Sequence, residues 1–291
     1  MDEVYPVWDR WNDLLKLQLD KIFFGTGFGS TGPNAHKGGQ DVLAQAVTGV
    51  MARKQDENLP LSVYATALCD YTAGMHLVQG VLAALFARER TGVGQKVEVS
   101  LYDSMLAMQM QEAAMWLMQK KNLNWAEMPL SGVFETSNGA LVIVGAFKKN
   151  PLQDICKALE IEDLSFKFPD LVSQRAGKTE LQTEFRDALK KNTTEYWLER
   201  LEEQDLLCSP VKDLTQALED PQTENNDMLI NLEHPDMGTI KLLGTPVHLS
   251  KAPLEKRFAP PKLGEHTDEI LKEIGYDEMY IKELHTLRIL G

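Results

Sequence analysis

The chain has 291 residues, 43 acidic against 30 basic side chains, a formal net charge of −13 and 43% hydrophobic residues. That charge excludes a general nucleic-acid binder, which needs a basic footprint to displace phosphate counterions, and the hydrophobic fraction excludes a disordered chain. The length is sufficient for one large core or two domains.

Charge interrupts every apolar run well before a membrane span is reached, so no membrane association is expected. Cys69, Cys156 and Cys208 are an odd, widely spaced set without metal-ligand spacing, which suits a reducing compartment and leads to the expectation of a cytoplasmic protein or one of a soluble organelle compartment.

Residues 7–19 carry Trp8, Trp11, Leu14, Leu15 and Leu19 at spacings of three and four, the face of an amphipathic helix. Residues 21–24 then read as a strand feeding the glycine-rich loop 25–32, and residues 41–51 as a second helix led in by Gly38 and Gly39. The loop contains Gly27-x-Gly29-x-x-Gly32, but Pro33-Asn34 breaks the helix that a dinucleotide fingerprint would open there. What survives is a loop of little side-chain bulk. Its backbone N–H groups can approach an anionic ligand, or it is simply a tight turn.

From Asp70 to about Arg90 the pattern is a long helix with Met75, Val78, Val81, Leu82, Leu85 and Phe86 along one apolar side, stopped by Gly92 and Gly94. Asp70 sits at its predicted N-terminus, followed by small Thr72, Ala73 and Gly74. A carboxylate there accepts the unpaired N–H groups of the first turn and is favoured by the helix dipole. It is therefore either a structural cap, the commoner role, or an ionised nucleophile able to attack an activated acyl carbon. Cys69 reads as a small buried residue rather than a reactive thiol, there being no base beside it in sequence. His76, two turns into the helix, is either a base or a satisfied imidazole.

Residues 96–101 alternate as a half-buried strand, and residues 102–120 return to helix, where Met105, Met108, Met110, Met115 and Met118 read as adaptable core filling. A polar connection, 122–129, precedes a hairpin of 132–136 and 140–145 around Ser137-Asn138-Gly139. Residues 151–218 read as helical, 221–226 as a polar loop, 230–243 as a second hairpin turning at Met237-Gly238, 245–261 as an extended linker and 265–290 as a helix pair. No internal repeat occurs. The six histidines have no paired spacing for a metal, and none is expected. Asn192-Thr193-Thr194 matches a glycosylation acceptor without meaning in a cytosolic chain. Lys37, beside two glycines, is a candidate phosphate contact or an ordinary exposed lysine.

Four blocks in order, FGTGFGSTGPNAHKGGQDVLAQAVTGVMA, CDYTAGMHLVQGVLAALFARERTGVGQKVEVSLYDSML, FETSNGALVIVGA and LGEHTDEILKEIGY, resemble the class III CoA-transferases. That family includes formyl-CoA and carnitine CoA-transferases and is related to α-methylacyl-CoA racemase. The resemblance implies a large α/β domain, a smaller α+β domain and two subunits interlocked as rings. On this chain it implies a large domain at 1–120, incomplete at its N-terminus, a small domain at 121–245, and a linker with C-terminal helices, 246–291, returning to the large domain.

Asp70 falls where the family carries its catalytic aspartate. The implied reaction moves CoA from an acyl-CoA thioester to a small carboxylic acid through an aspartyl anhydride and an aspartyl-CoA thioester. Coenzyme A is a substrate, with no permanently bound cofactor, and backbone N–H groups near Asp70 stabilise the oxyanions. Gln40 and Asp41 are expected to line the acyl end, and Lys37 to meet the CoA phosphates.

Three departures refine the expectation. Family members usually begin with a further strand–helix layer that supplies much of the CoA site, and this chain starts after it. The layer then comes from a longer gene product or another chain, or CoA binding has been lost. Racemase relatives carry a catalytic His followed by Asp where Gln40 and Asp41 stand here, and a glutamine amide does not titrate near neutral pH, which favours transfer over racemisation. The glycine-run loop of formyl-CoA transferase is not recognisable between Ala114 and Gly132, so oxalate or formyl specificity is not expected. The alternatives are an acyl-CoA racemase and an inactive CoA-binding or assembly subunit.

Overall fold

The computed structural model describes residues 21–54, 59–145, 147–252 and 259–290. The helix expected over residues 7–19 lies outside them. The chain divides into two units between Pro210 and Val211.

In the first unit, strand β1 (Lys21–Thr26) pairs in parallel with β2 (Gln95–Ser100), in register from Lys21 opposite Gln95 to Thr26 opposite Ser100. Two parallel neighbours need a long crossover. It is made by α1 (Asp41–Val47), a 3-10 turn (Val50–Ala52) and the long helix α2 (Leu68–Thr91). Gly92 ends α2 in the left-handed conformation, φ 73°, its N–H closing on Arg88. Gly80 lets the helix lie close to the sheet: a Cβ there would sit 2.7 Å from Val97 Cγ1.

Ser100 caps α3 (Leu101–Met108) through the Asp103 N–H, and α4 (Met110–Gln119) follows after a break at Gln109. The single helix expected over 102–120 is thus two. The Gln109 side chain is buried and donates to the Thr48 and Met105 carbonyls at 3.0 and 3.1 Å, while accepting from Arg53 Nε at 3.0 Å. Only Met105 of the expected methionine core is fully enclosed, whereas Met108, Met110 and Met118 are exposed. The apolar side of α2 also remains open, with Met75, Val78, Leu82 and Phe86 exposed. The buried cluster in this part of the chain is Ala44, Val50, Cys69 and Met105.

Later in the unit, the expected hairpin forms from β3 (Ser131–Glu135) and β4 (Ala140–Val144), with Ser131 opposite Val144. Asn138 at its turn accepts the Thr194 N–H at 2.8 Å and donates to Glu195 at 3.0 Å, anchoring the loop to the segment that starts at Thr194. Three helices bury residues in the core under this sheet, α5 (Pro151–Ala158), α7 (Lys178–Leu189) and α8 (Thr194–Glu203), while the short α6 (Leu171–Ala176) leads into α7 and buries no residue. The helical reading of 151–218 misses β5 (Leu207–Pro210), which completes an antiparallel sheet of order β3-β4-β5. At four residues, with Pro210 ending it, β5 is too short to show a period. Phe134 and Phe185 meet edge-on at 6.0 Å, and the buried Trp197 donates its indole N–H to the Leu189 carbonyl at 2.7 Å.

The second unit holds α9 (Leu214–Leu218), α10 (Pro221–Asn225), the hairpin β6 (Leu229–His234) and β7 (Gly238–Leu243), and helices α11 (Thr267–Glu273) and α12 (Glu278–Thr286). The expected polar loop at 221–226 is a short helix, capped by Asp220 and opened by Pro221. Both the hairpin and the helix pair stand as the pattern implies. The mixture of a parallel pair with crossover helices and antiparallel sheets agrees with the expected α/β class. Among the described residues no helix is long and apolar enough to cross a membrane.

Candidate active site

The glycine-rich loop leaves the carboxyl end of β1 and is bonded near the carboxyl end of β2. Gly27 and Gly39 touch backbone to backbone: a Cβ on Gly27 would lie 2.3 Å from Gly39 Cα, and one on Gly39 the same distance from Gly27 Cα. No side chain fits between these two rails. The loop is tied down from three sides. Gly29 N–H donates to Thr26 Oγ1 at 2.8 Å, Ser30 N–H to Glu98 at 3.0 Å, and Tyr102 N–H to the Gly27 carbonyl at 3.1 Å. Hydrogen bonds from Lys96 and Ser30 hold the Glu98 carboxyl below its ordinary range, so it stays charged.

A cleft of about 660 Å³ opens over this loop, walled by Gly25 to Ser30, by Ala35 to Gly39, and by Ala73, Gly74 and Leu77 of α2. Lys37 and His36 are among its lining residues, and both are exposed. Asp70 is exposed in the first turn of α2. Helical spacing of three, four and seven residues puts Ala73, Gly74 and Leu77 on the face that carries Asp70. The carboxylate therefore stands one turn from the cleft wall, beside Gly74, whose missing side chain leaves open space.

Asp70 is not the N-cap that its position in the sequence suggests. The cap residue is Ala67, which has no side-chain bond to give. Asp41 does the capping from α1 instead. Its Oδ2 accepts the Cys69 N–H at 2.6 Å and the Asp70 N–H at 3.1 Å, while Oδ1 accepts from Gln45 Nε2 at 2.6 Å. Asp41 is 5% exposed and Gln45 fully buried. Gln45 also donates to the Tyr64 and Thr66 carbonyls at 3.2 and 3.3 Å and accepts the Tyr64 N–H at 3.0 Å, which fixes the approach to α2. Gln40 is the N-cap of α1, accepting the Val42 N–H at 2.9 Å, and is exposed.

The remaining first-turn amides of α2 are also engaged: Leu68 N–H donates to Thr66 and Tyr71 N–H to Ala67. The amides immediately around Asp70 are thus already in use, contrary to the expectation that they face an oxyanion. Burial, then the nearby Asp41 and Asp70 charges, push the Cys69 thiol from its ordinary 9.0 up to about 11. A thiol in that environment is a packing residue and not a nucleophile. No group of three or more His, Cys, Asp or Glu side chains that could hold a metal occurs among the described residues.

The family model of CoA-transferase family III matches residues 22–267, a stretch that contains the loop, the cleft and Asp70. The chain belongs to CoA-transferase family III. It is 30% identical over 267 residues to human succinyl-CoA:glutarate CoA-transferase, an alignment that covers 89% of this chain and 61% of the relative. The acetyl-CoA:oxalate CoA-transferase of Acetobacter aceti is 29% identical, with 92% of this chain and 70% of that protein covered. The chain therefore spans about three fifths of the human relative's length.

Among solved structures, Rv3272 from M. tuberculosis superposes with a TM-score of 0.71 at 26% identity, covering 85% of this chain and 68% of that one. A CAIB/BAIF family protein from Brucella suis shares the fold with a TM-score of 0.75 at 24% identity, covering 87% and 68%. Within this family III chain, Lys37 lies on the cleft and Asp70 beside it, while Gln40 and Asp41 are helix caps absent from the cleft wall. Sequence reasoning missed Gln45 and the Gly27–Gly39 contact. Gln45 had a signal, a polar residue four positions after Asp41 on the same helical face. The rail contact had none, because it joins two loops whose approach depends on tertiary structure.

Proposed function

We propose that this chain transfers CoA between an acyl-CoA thioester and a free carboxylic acid, with the Asp70 carboxylate as nucleophile. The observation that carries the reading is an exposed aspartate, relieved of capping duty, on the helix face that lines the cleft. The names of its relatives support the substrate class, since they pair an acyl-CoA with glutarate, oxalate or mesaconate.

An Asp70 oxygen attacks the thioester carbonyl, the C–S bond breaks, and CoA thiolate leaves with the electron pair. The thiolate then attacks the aspartyl carbonyl of the mixed anhydride, breaking its C–O bond and releasing the donor acid as carboxylate. The acceptor carboxylate attacks the resulting aspartyl-CoA thioester, again expelling thiolate. Attack of thiolate on the acceptor's acyl carbon gives the new acyl-CoA and returns Asp70 as carboxylate. No net proton is exchanged, so no general acid is required.

Each tetrahedral step develops an oxyanion, and a well-placed donor is worth about 3 kcal/mol to it. With the amides at 68–71 already bonded, that duty falls to the glycine rails, where Gly38 and Gly39 expose backbone to the cleft. Lys37 is the cation available there for the CoA phosphates. Gln40, an exposed cap without a titrating group, does not supply the proton shuttle that racemisation needs.

The domain division at 1–120, 121–245 and 246–291 and an interlocked homodimer belong to the same proposal. Tyr71, Met75, Val78, Leu82 and Phe86, an exposed stripe at helical spacing on α2, support a covered face in the assembly. A cytoplasmic setting accords with three cysteines that form no disulfide. The test is CoA transfer from succinyl-CoA to a panel of dicarboxylic acids by the wild type and Asp70→Asn. Activity in the wild type, lost in the variant with folding intact, supports the proposal; equal activity in both overturns it.

A further inference from the structure

We infer that Asp41 is a positioning residue for Asp70: by capping α2 from another helix, its buried carboxylate keeps the Asp70 carboxylate out of the helix terminus and turned to the cleft. The inference rests on the reading of Asp70 as the nucleophile and assigns Asp41 a role on the protein side of the site rather than at the acyl group.

An aspartate in the first turn of a helix has a strong local alternative to catalysis. Its oxygens can fold back onto the unpaired N–H groups of that turn, which is why such residues are enriched there. Four amides need partners at a helix start. In α2 three of them are served without Asp70: Leu68 donates to Thr66 at 2.8 Å, and Cys69 and Asp70 donate to Asp41 Oδ2 at 2.6 and 3.1 Å; the Tyr71 N–H then closes the first helical turn on Ala67 at 3.0 Å. With the amides of residues 68–70 already taken, the Asp70 side chain gains little by turning inward onto them.

Charge reinforces the geometry. The Asp41 carboxylate occupies the positive end of the α2 dipole, so a second negative charge approaching that end meets repulsion. Burying a carboxylate is costly unless donors surround it. Asp41 has three, the two backbone amides on one oxygen and Gln45 Nε2 on the other. Gln45 in turn donates to the Tyr64 and Thr66 carbonyls, so hydrogen bonds link the cap, the segment leading into α2 and α1. Both side chains are enclosed, and neither is among the cleft residues. A role for Asp41 must therefore act through Asp70.

The decisive experiment separates acylation of Asp70 from binding of the acyl donor. Wild type, Asp41→Ala, Asp41→Asn and Gln45→Leu are mixed with succinyl-CoA, and the acyl-enzyme is trapped with hydroxylamine to give the rate of Asp70 labelling. The Kd for succinyl-CoA is measured separately by calorimetry on Asp70→Asn and its double variants. Asp41→Ala is expected to lower the labelling rate by about a hundredfold, the scale of a small misplacement of a reacting group. Its Kd should stay within about threefold, because no ground-state contact is lost. Asp41→Asn, which keeps an acceptor oxygen but not the charge, should recover part of the rate.

Labelling of Asp41→Ala at the wild-type rate overturns the inference, as does a fall in rate matched by an equal fall in affinity. If the alanine variant does not fold, Asp41→Asn and Gln45→Leu decide: slower labelling at unchanged Kd supports the role, and wild-type rates in both refute it. A wild type that leaves Asp70 unlabelled while binding succinyl-CoA points elsewhere. It refutes the nucleophile reading itself, and the positioning role falls with it.

Discussion

Between residues 130 and 206 the chain closes over Phe134, Leu141, Ile143, Ile155, Leu181, Phe185, Leu189, Trp197 and Leu201 in one continuous core. Among the described residues near the cleft the apolar cluster is the much smaller set Ala44, Val50, Cys69 and Met105, while the apolar stripe of α2 faces outward. The first region is held by apolar area removed from water, a term of about 25 cal/mol per Å². The second is held by directed contacts: buried Asp41, Gln45 and Gln109 side chains that each bridge backbone groups, and glycines that let backbone touch backbone. Packing provides stability, and polar pinning provides position. A reactive carboxylate needs the latter.

The contrast is broken most severely in the core. Phe185→Ala removes a fully buried ring from the face it shares with Phe134 and is expected to cost about 3–5 kcal/mol, read by urea denaturation. Loss near zero would mean that residues 130–206 do not derive their stability from this core. Gly39→Ala comes next. Its methyl would collide with the Gly27 backbone, so the loops must separate at a cost of about 1–3 kcal/mol, and succinyl-CoA affinity should fall with them. Unchanged stability and affinity would show that the rails do not shape the cleft.

The Cys69 thiol sharpens the comparison at smaller amplitude. With its folded value raised to about 11 against 9.0 when unfolded, the neutral thiol favours the native state fully below pH 9. That contribution is lost as pH rises through 11. Iodoacetamide at pH 8 should therefore modify the half-exposed Cys208 ahead of Cys69 in the native protein, and rapid labelling of Cys69 would contradict its enclosure. The smallest effect is expected at Leu82→Gln on the open stripe, within about 0.5 kcal/mol for the isolated chain.

The elements with strong local signals were legible in the sequence. The Asn138–Gly139 hairpin, the helix stopped at Gly92 and the turn at Gly238 all follow from turn chemistry and periodicity, and the structure carries them at the expected places. Legibility fails where the deciding contact is distant in sequence. Asp70 looks like a cap because its own neighbours allow it to be one, and only the arrival of Asp41 from another helix takes that role away. The same holds for Gln109, whose buried bonds to Thr48 and Arg53 split a continuous helical pattern. The methionines of α4 show the reverse error. Their apolar character was plain, but whether a face is covered depends on what packs against it.

The measurement that bears most directly on the site is peptide mapping by mass spectrometry after wild-type protein is incubated with succinyl-CoA and quenched with hydroxylamine. The expected result is a hydroxamate confined to Asp70 and absent without the acyl donor. Turnover of succinyl-CoA and a carboxylic acid with Asp70 left unmodified, or a hydroxamate on another carboxylate, would contradict it.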